Sequence, residues 1–96
     1  YGGQATFYNN AVSEGACGGY TSPSDKIVAL NIAQYGNPGA VSKWCGQKIL
    51  ITYGGKSEVA TVVDCCPSCA YGSLDMSKGL FGAFANFGAG VFQMSW

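Results

Sequence analysis

Polar and apolar positions alternate along residues 3–10 (GQATFYNN), with a β-branched residue and two aromatics, which predicts a first strand. Residues 9–25 are rich in Gly, Ser and Asn and read as a loop. KIVALNIA (26–33) predicts a second strand, and QYGNPGAVSKWCG (34–46) a run of turns. QKILITY (47–53), Gly54-Gly55 and KSEVATVV (56–63) form a hairpin signal, because glycine at both central turn positions takes positive φ freely. In SKGLFGAFANF (77–87), Leu80, Phe81 and Phe84 recur at helical spacing behind a capping Ser77, predicting about two turns of helix. GAGVFQMSW (88–96) closes the chain as a strand. About six short strands with one or two short helices predict a mainly β fold, a small barrel occupying residues 1–96 as a single domain.

Composition narrows the chemistry. Five lysines balance five carboxylates, and the 96 residues include no His. Without Arg or a basic field, nucleic acid is excluded as a partner. Without His, proton transfer falls to carboxylates, tyrosines, lysines or a thiol. The apolar runs are too short to span a bilayer, so a soluble protein without membrane partners is expected. Five cysteines in a short, weakly charged chain that begins at Tyr1 suggest a secreted, extracellular protein whose signal has been removed.

Three of those cysteines crowd into VVDCCPSCAYGSLDMS (62–77). Cysteine zinc sites usually show two close pairs, whereas here Cys66 and Cys69 accompany scattered Cys17 and Cys45, so no metal or other cofactor is expected. A redox C-x-x-C would open a helix in a βαβ unit, and this one follows a hairpin strand. Disulfide staples suit the pattern better. A Cys17–Cys45 bridge would enclose roughly thirty residues and stabilise by about 3–4 kcal/mol, and a Cys66–Cys69 bridge by about 2 kcal/mol before strain. Cys65 is then the odd thiol, and alternation places it with Val63, Thr61 and Val59, opposite Asp64, as a buried free cysteine.

Glu14, Asp25 and Glu58 read as solvated surface charges. Asp64 ends an otherwise apolar strand, and Asp75 sits between Leu74 and Met76 just ahead of the helix. Asp75 is either a helix-start carboxylate bonded to free N–H groups or one half of an acid pair facing Asp64 across a cleft. Tyr8, Tyr20, Trp44 and Tyr71 lie in polar, Gly-rich surroundings and are candidate platforms for flat sugar rings, whereas Phe81, Phe84, Phe92 and Trp96 read as packing.

GQATFY, GACGG, WCGQKILITYGGK, VATVVDCCPSC, LDMSKGLFGAF and GVFQMSW, in that order over nearly the whole chain, resemble the expansin-like and rare lipoprotein A-like proteins. Single-domain fungal loosenins are the nearest look. The resemblance implies a six-stranded double-psi β-barrel whose open groove holds Thr6, Asp64 and Asp75. Activity would depend on Asp75, with Asp64 assisting, and the bridges would be Cys17–Cys45 and Cys66–Cys69. The implied function is loosening of cellulose, xyloglucan or chitin without appreciable cutting, by a monomer. Gly72-Ser73-Leu74 replaces the His-Phe that precedes this aspartate in plant expansins, and Cys66 stands where bacterial expansins place a groove tyrosine. Two other functions fit the same barrel: a weak glycan-cleaving enzyme of lytic transglycosylase or inverting glucanase type, and a papain-inhibitor-like protease inhibitor.

Overall fold

The computed structural model describes residues 1–11 and 14–96, so part of the expected 9–25 loop lies outside the described residues. Among the described residues six strands form: β1 (Gly2–Phe7), β2 (Ile27–Asn31), β3 (Lys48–Tyr53), β4 (Lys56–Cys66), β5 (Leu74–Met76) and β6 (Phe92–Ser95). They close into a barrel in the order β1-β5-β2-β4-β3-β6, with β1–β5 and β2–β4 parallel and the other pairs antiparallel. The double-psi β-barrel expected from the sequence is the fold observed.

Alternation sorts the side chains by face. Ala5, Val28, Leu30, Leu74 and Met76 point into a core shared with Ile51 and Val62. The short helix α2 (Lys78–Phe84) packs Leu80, Phe81 and Phe84 into that core. Ser77 caps it as expected, its hydroxyl accepting the Leu80 N–H. Gly54 and Gly55 take φ of 58° and 80° in the β3–β4 turn, as the hairpin signal requires.

Three elements differ from expectation. The first strand ends at Phe7 rather than reaching Asn10. The second stops at Asn31, whose side chain accepts the Gln34 N–H and caps a single-turn helix, α1 (Ile32–Tyr35). Strand β5 is only three residues long and is held by β1 on one side and β2 on the other, so its stability comes from distant partners.

The fourth difference reshapes the site. β4 carries a bulge where Val28 pairs with Val62 but Ala29 pairs with Asp64. The extra residue shifts the alternation, so Cys65 lies beside core-facing Leu30 rather than on the face of Thr61 and Val59. Cys65 packs against the core but is only partly buried, which corrects the expectation of a shielded thiol. The loop before β2 docks on the bulge: Cys17 N–H donates to the Val63 carbonyl at 3.2 Å. Disulfides join Cys17 to Cys45 and Cys66 to Cys69, leaving Cys65 free.

Candidate functional site

On the outside of the barrel the register sets four residues in one row. Thr6 of β1 pairs with Asp75 of β5, Asp75 with Ala29 of β2, and Ala29 with Asp64 of β4. The two aspartates are therefore two strand spacings apart, roughly 10 Å between Cα atoms, with Ala29 between them in the register. Without the bulge Asp64 would face the core; the inserted residue turns it onto the face of Asp75.

The two carboxylates are held differently. Asp64 Oδ1 accepts the backbone N–H of Ala16 at 2.7 Å and of Cys65 at 2.8 Å, and Tyr8 donates its hydroxyl to Oδ2 at 3.4 Å. Asp64 thus ties the disulfide loop to the bulged strand. Asp75 accepts one hydrogen bond, from the Thr6 hydroxyl at 2.8 Å, and is not bonded to helix N–H groups. The helix-start alternative for Asp75 does not describe its geometry, since Ser77 fills that position.

Burial pushes the Asp75 carboxyl above the usual aspartate range, the Thr6 hydroxyl draws it part of the way back, and the Asp64 charge adds to the rise. Burial also raises Tyr8, helped by both aspartates, so its hydroxyl stays protonated and can only serve as a neutral donor or acceptor. Burial, then Asp64, raises the Cys65 thiol as well. The row is a place where a carboxyl can hold a proton at a higher pH than a surface aspartate, and where hydroxyl groups can exchange hydrogen bonds.

A cavity of about 240 Å³ lies beside Thr6 and Asp75, and Asp64 is not among its lining residues. Gln4, Thr6, Ser68, Ser73 and Asp75 give it polar walls, and the Cys66–Cys69 bridge and Ala70 an apolar one. Gln4 was legible in principle, being two residues from Thr6 on one strand and so on the same face. Ser68 and Ser73 carried no such signal.

The predicted aromatics disperse. Tyr8 reaches Asp64. Tyr71 is exposed beside the cavity-lining Ala70. Trp44 is half-buried, edge-on to Tyr1 and Trp96, rather than a free surface platform. Tyr20 is exposed in the loop before β2 and is not among the residues lining the cavity. Tyr1, which the sequence reading passed over, joins Trp44, Tyr71 and Trp96 in one aromatic cluster.

A closed six-stranded barrel with this order, crossed on its outside by an aspartate row, is an expansin-like double-psi β-barrel, and this chain has that fold. Among particular proteins, the Streptomyces papain inhibitor superposes with a TM-score of 0.85 at 27% identity, over 99% of this chain and 91% of that one. Apo Clavibacter michiganensis expansin superposes at 0.80 with 28% identity, over 97% of this chain and 46% of that one. An aspartate-to-asparagine variant of the same expansin, in complex with cellohexaose, gives 0.82 at 24% identity. In sequence the chain is 39% identical over 102 aligned residues to Allergen Asp f 7 of Aspergillus fumigatus, and 35% identical over 80 residues to its homologue in Arthroderma benhamiae. It spans 98% and 82% of itself in those alignments but only 35% and 27% of the relatives' own length. No family model matches the chain.

Proposed function

We propose that this chain is a secreted protein, acting as a monomer, that loosens cellulose or a related plant cell-wall β-glucan without cutting it. The observation that carries the reading is the outer row of Thr6, Asp75, Ala29 and Asp64, in which, among the described residues, one carboxyl has a single hydroxyl partner at the edge of a cavity without a lysine. The likeness to an expansin whose variant was obtained with cellohexaose supports a neutral glycan as the partner. Two disulfides fit an oxidising, extracellular setting, and among the described residues no helix is long and apolar enough to cross a membrane.

Inverting hydrolysis needs a second carboxylate free to activate water. Asp64 is the neighbour in range, and both of its oxygens already accept hydrogen bonds. This favours loosening over cleavage, with Asp75 exchanging hydrogen bonds with sugar hydroxyls. The test is to incubate pure protein with filter paper and measure fibre dispersion alongside reducing ends. Dispersion without sugar release, lost in Asp75→Asn, is the expected outcome; sustained oligosaccharide release would move the protein to the hydrolases.

A second reading rests on the Streptomyces papain inhibitor, whose own length the superposition covers almost completely, unlike the expansin's. On that reading the chain inhibits a cysteine protease through loops at one end of the barrel. Potent papain inhibition that survives Asp75→Asn would select it.

A further inference from the structure

The chain makes a tight crossing next to the cavity. A Cβ on Gly72 would stand 2.1 Å from the Gly2 carbonyl oxygen, and one on Gly3 would stand 2.5 Å from the Gly72 carbonyl carbon. Only glycines allow this approach. The residues before the crossing are Tyr1 and Tyr71, which it brings to 6.1 Å between ring centroids. The residues after it include Gln4 and Ser73, both in the cavity wall. The aromatic pair and the cavity are therefore built by one backbone contact.

Both tyrosines stay open to solvent, Tyr1 59% and Tyr71 61% exposed, although they are supported from behind. Trp96 packs on Tyr1 with centroids 4.6 Å apart, and its indole N–H donates to the Gly72 carbonyl at 2.9 Å. Such rings are held in place before any ligand arrives, which lowers the entropy lost on binding.

The cavity itself is smaller than the roughly 300–1,000 Å³ of a site for a drug-sized molecule, so at about 240 Å³ it suits one ring. Ser73 Oγ accepts the Gln4 N–H at 3.1 Å, which leaves its own O–H to donate. Hydroxyl and amide groups and the Asp75 carboxyl line one wall and the disulfide another, with no lysine among the lining residues. That combination matches an uncharged ring with a hydroxylated edge and an apolar face.

We propose that this cavity, with Asp75 in its wall, is a subsite for a single neutral pyranose ring, and that Tyr71 and Tyr1 are the shelf on which the following ring stacks. The glycan then runs from Asp75 towards the Gly2–Gly72 crossing. The inference rests on the glycan reading given above and adds direction and subsites to it.

The test is a ¹H–¹⁵N NMR titration of the whole chain with cellotetraose. Wild type should show shifts at the amides of Gln4, Ser68, Ala70 and Ser73. Gln4→Ala and Tyr71→Ala, both at exposed positions, should each weaken binding five- to tenfold, and Ser68→Trp should block the cavity with a similar or larger loss. Shifts confined to Tyr8 and Asp64, or wild-type affinity in all three variants, would overturn the subsite while leaving the glycan reading standing. Absence of binding by wild type to any β-glucan oligomer would remove both.

Discussion

Replacing each aspartate of the row in turn should separate a tether from a working group. Asp64→Ala strands the N–H groups of Ala16 and Cys65, which both donate to its Oδ1, and frees the Tyr8 hydroxyl. Each stranded buried donor costs about 1–3 kcal/mol. Both are only part-buried, so about 2–4 kcal/mol for the pair is the expected loss. For a domain of this size each kcal/mol moves Tm by about 4–8 °C, giving a fall of roughly 8–32 °C. Asp75→Asn keeps an oxygen that can accept from Thr6 and removes a charge that burial disfavours. Its stability should stay within about 1 kcal/mol of wild type. Asp64→Asn keeps one oxygen for the two amides but loses the charge and the second oxygen, which accepts from Tyr8, so it should fall between them. Urea or thermal unfolding at neutral pH, with the disulfides intact, measures all three. An Asp64→Ala variant melting within about 3 °C of wild type would refute the tether. An Asp75→Asn variant destabilised as much as Asp64→Ala would refute the division of labour.

Four further outcomes follow from the same geometry. The folded-state pKa of Asp75 is raised, so its contribution is most favourable at low pH and is lost as pH rises from the ordinary aspartate value through the folded one; Asp75→Asn should flatten that slope in pH-dependent unfolding. Removing the Cys17–Cys45 bridge by paired Ala substitution should cost about 3–4 kcal/mol by denaturant titration, more than removing the Cys66–Cys69 bridge, because its loop is longer. Cys65, partly exposed but with a raised pKa, should react with Ellman's reagent more slowly at mildly alkaline pH than a free cysteine does, and faster in Asp64→Asn. Gly72→Ala should unfold the chain or destabilise it by several kcal/mol (about 3 or more), since φ is +83° and the new methyl would overlap the Gly2 carbonyl; a Tm equal to wild type would contradict the crossing.

Signals confined to a few neighbouring residues were readable. Gly54-Gly55 gave its hairpin, Ser77 its cap, and the Leu80, Phe81 and Phe84 spacing its buried helix face. The distribution of cysteines was also readable, because loop-closure arithmetic and the family resemblance led to the same two bridges. What the sequence concealed depended on pairing between distant segments. LDM is too short to show alternation, and becomes a strand only because Thr6 and Ala29 flank Asp75. The bulge before Asp64 depends on a register that β2 imposes, so strict alternation misplaced Cys65. Asp64 and Asp75 could be named as candidates from their oddity, an acid ending an apolar strand and another between Leu74 and Met76. Their common face could not be read without that register. The cavity combines Gln4 and Thr6 of β1, Cys66 of β4 and Asp75 of β5 with a loop serine and a buried serine, and nothing local in the sequence joins them.

The strand order also sets a timetable for folding during synthesis. Of the six described strands β1 is made first, yet its two neighbours, β5 and β6, are made last. The barrel cannot close until the end of the described chain is available, and long-range closure of this kind slows folding. Cys17 and Cys45 both precede the 65–69 cysteine cluster in the chain. An oxidising enzyme that acts before that cluster is made joins them without competition from it. Early oxidation would leave Cys65, Cys66 and Cys69 to sort only among themselves, whereas oxidation delayed until after release would expose five thiols to scrambling. The same chain could therefore give a clean product when made into an oxidising compartment and mispaired species when refolded in bulk.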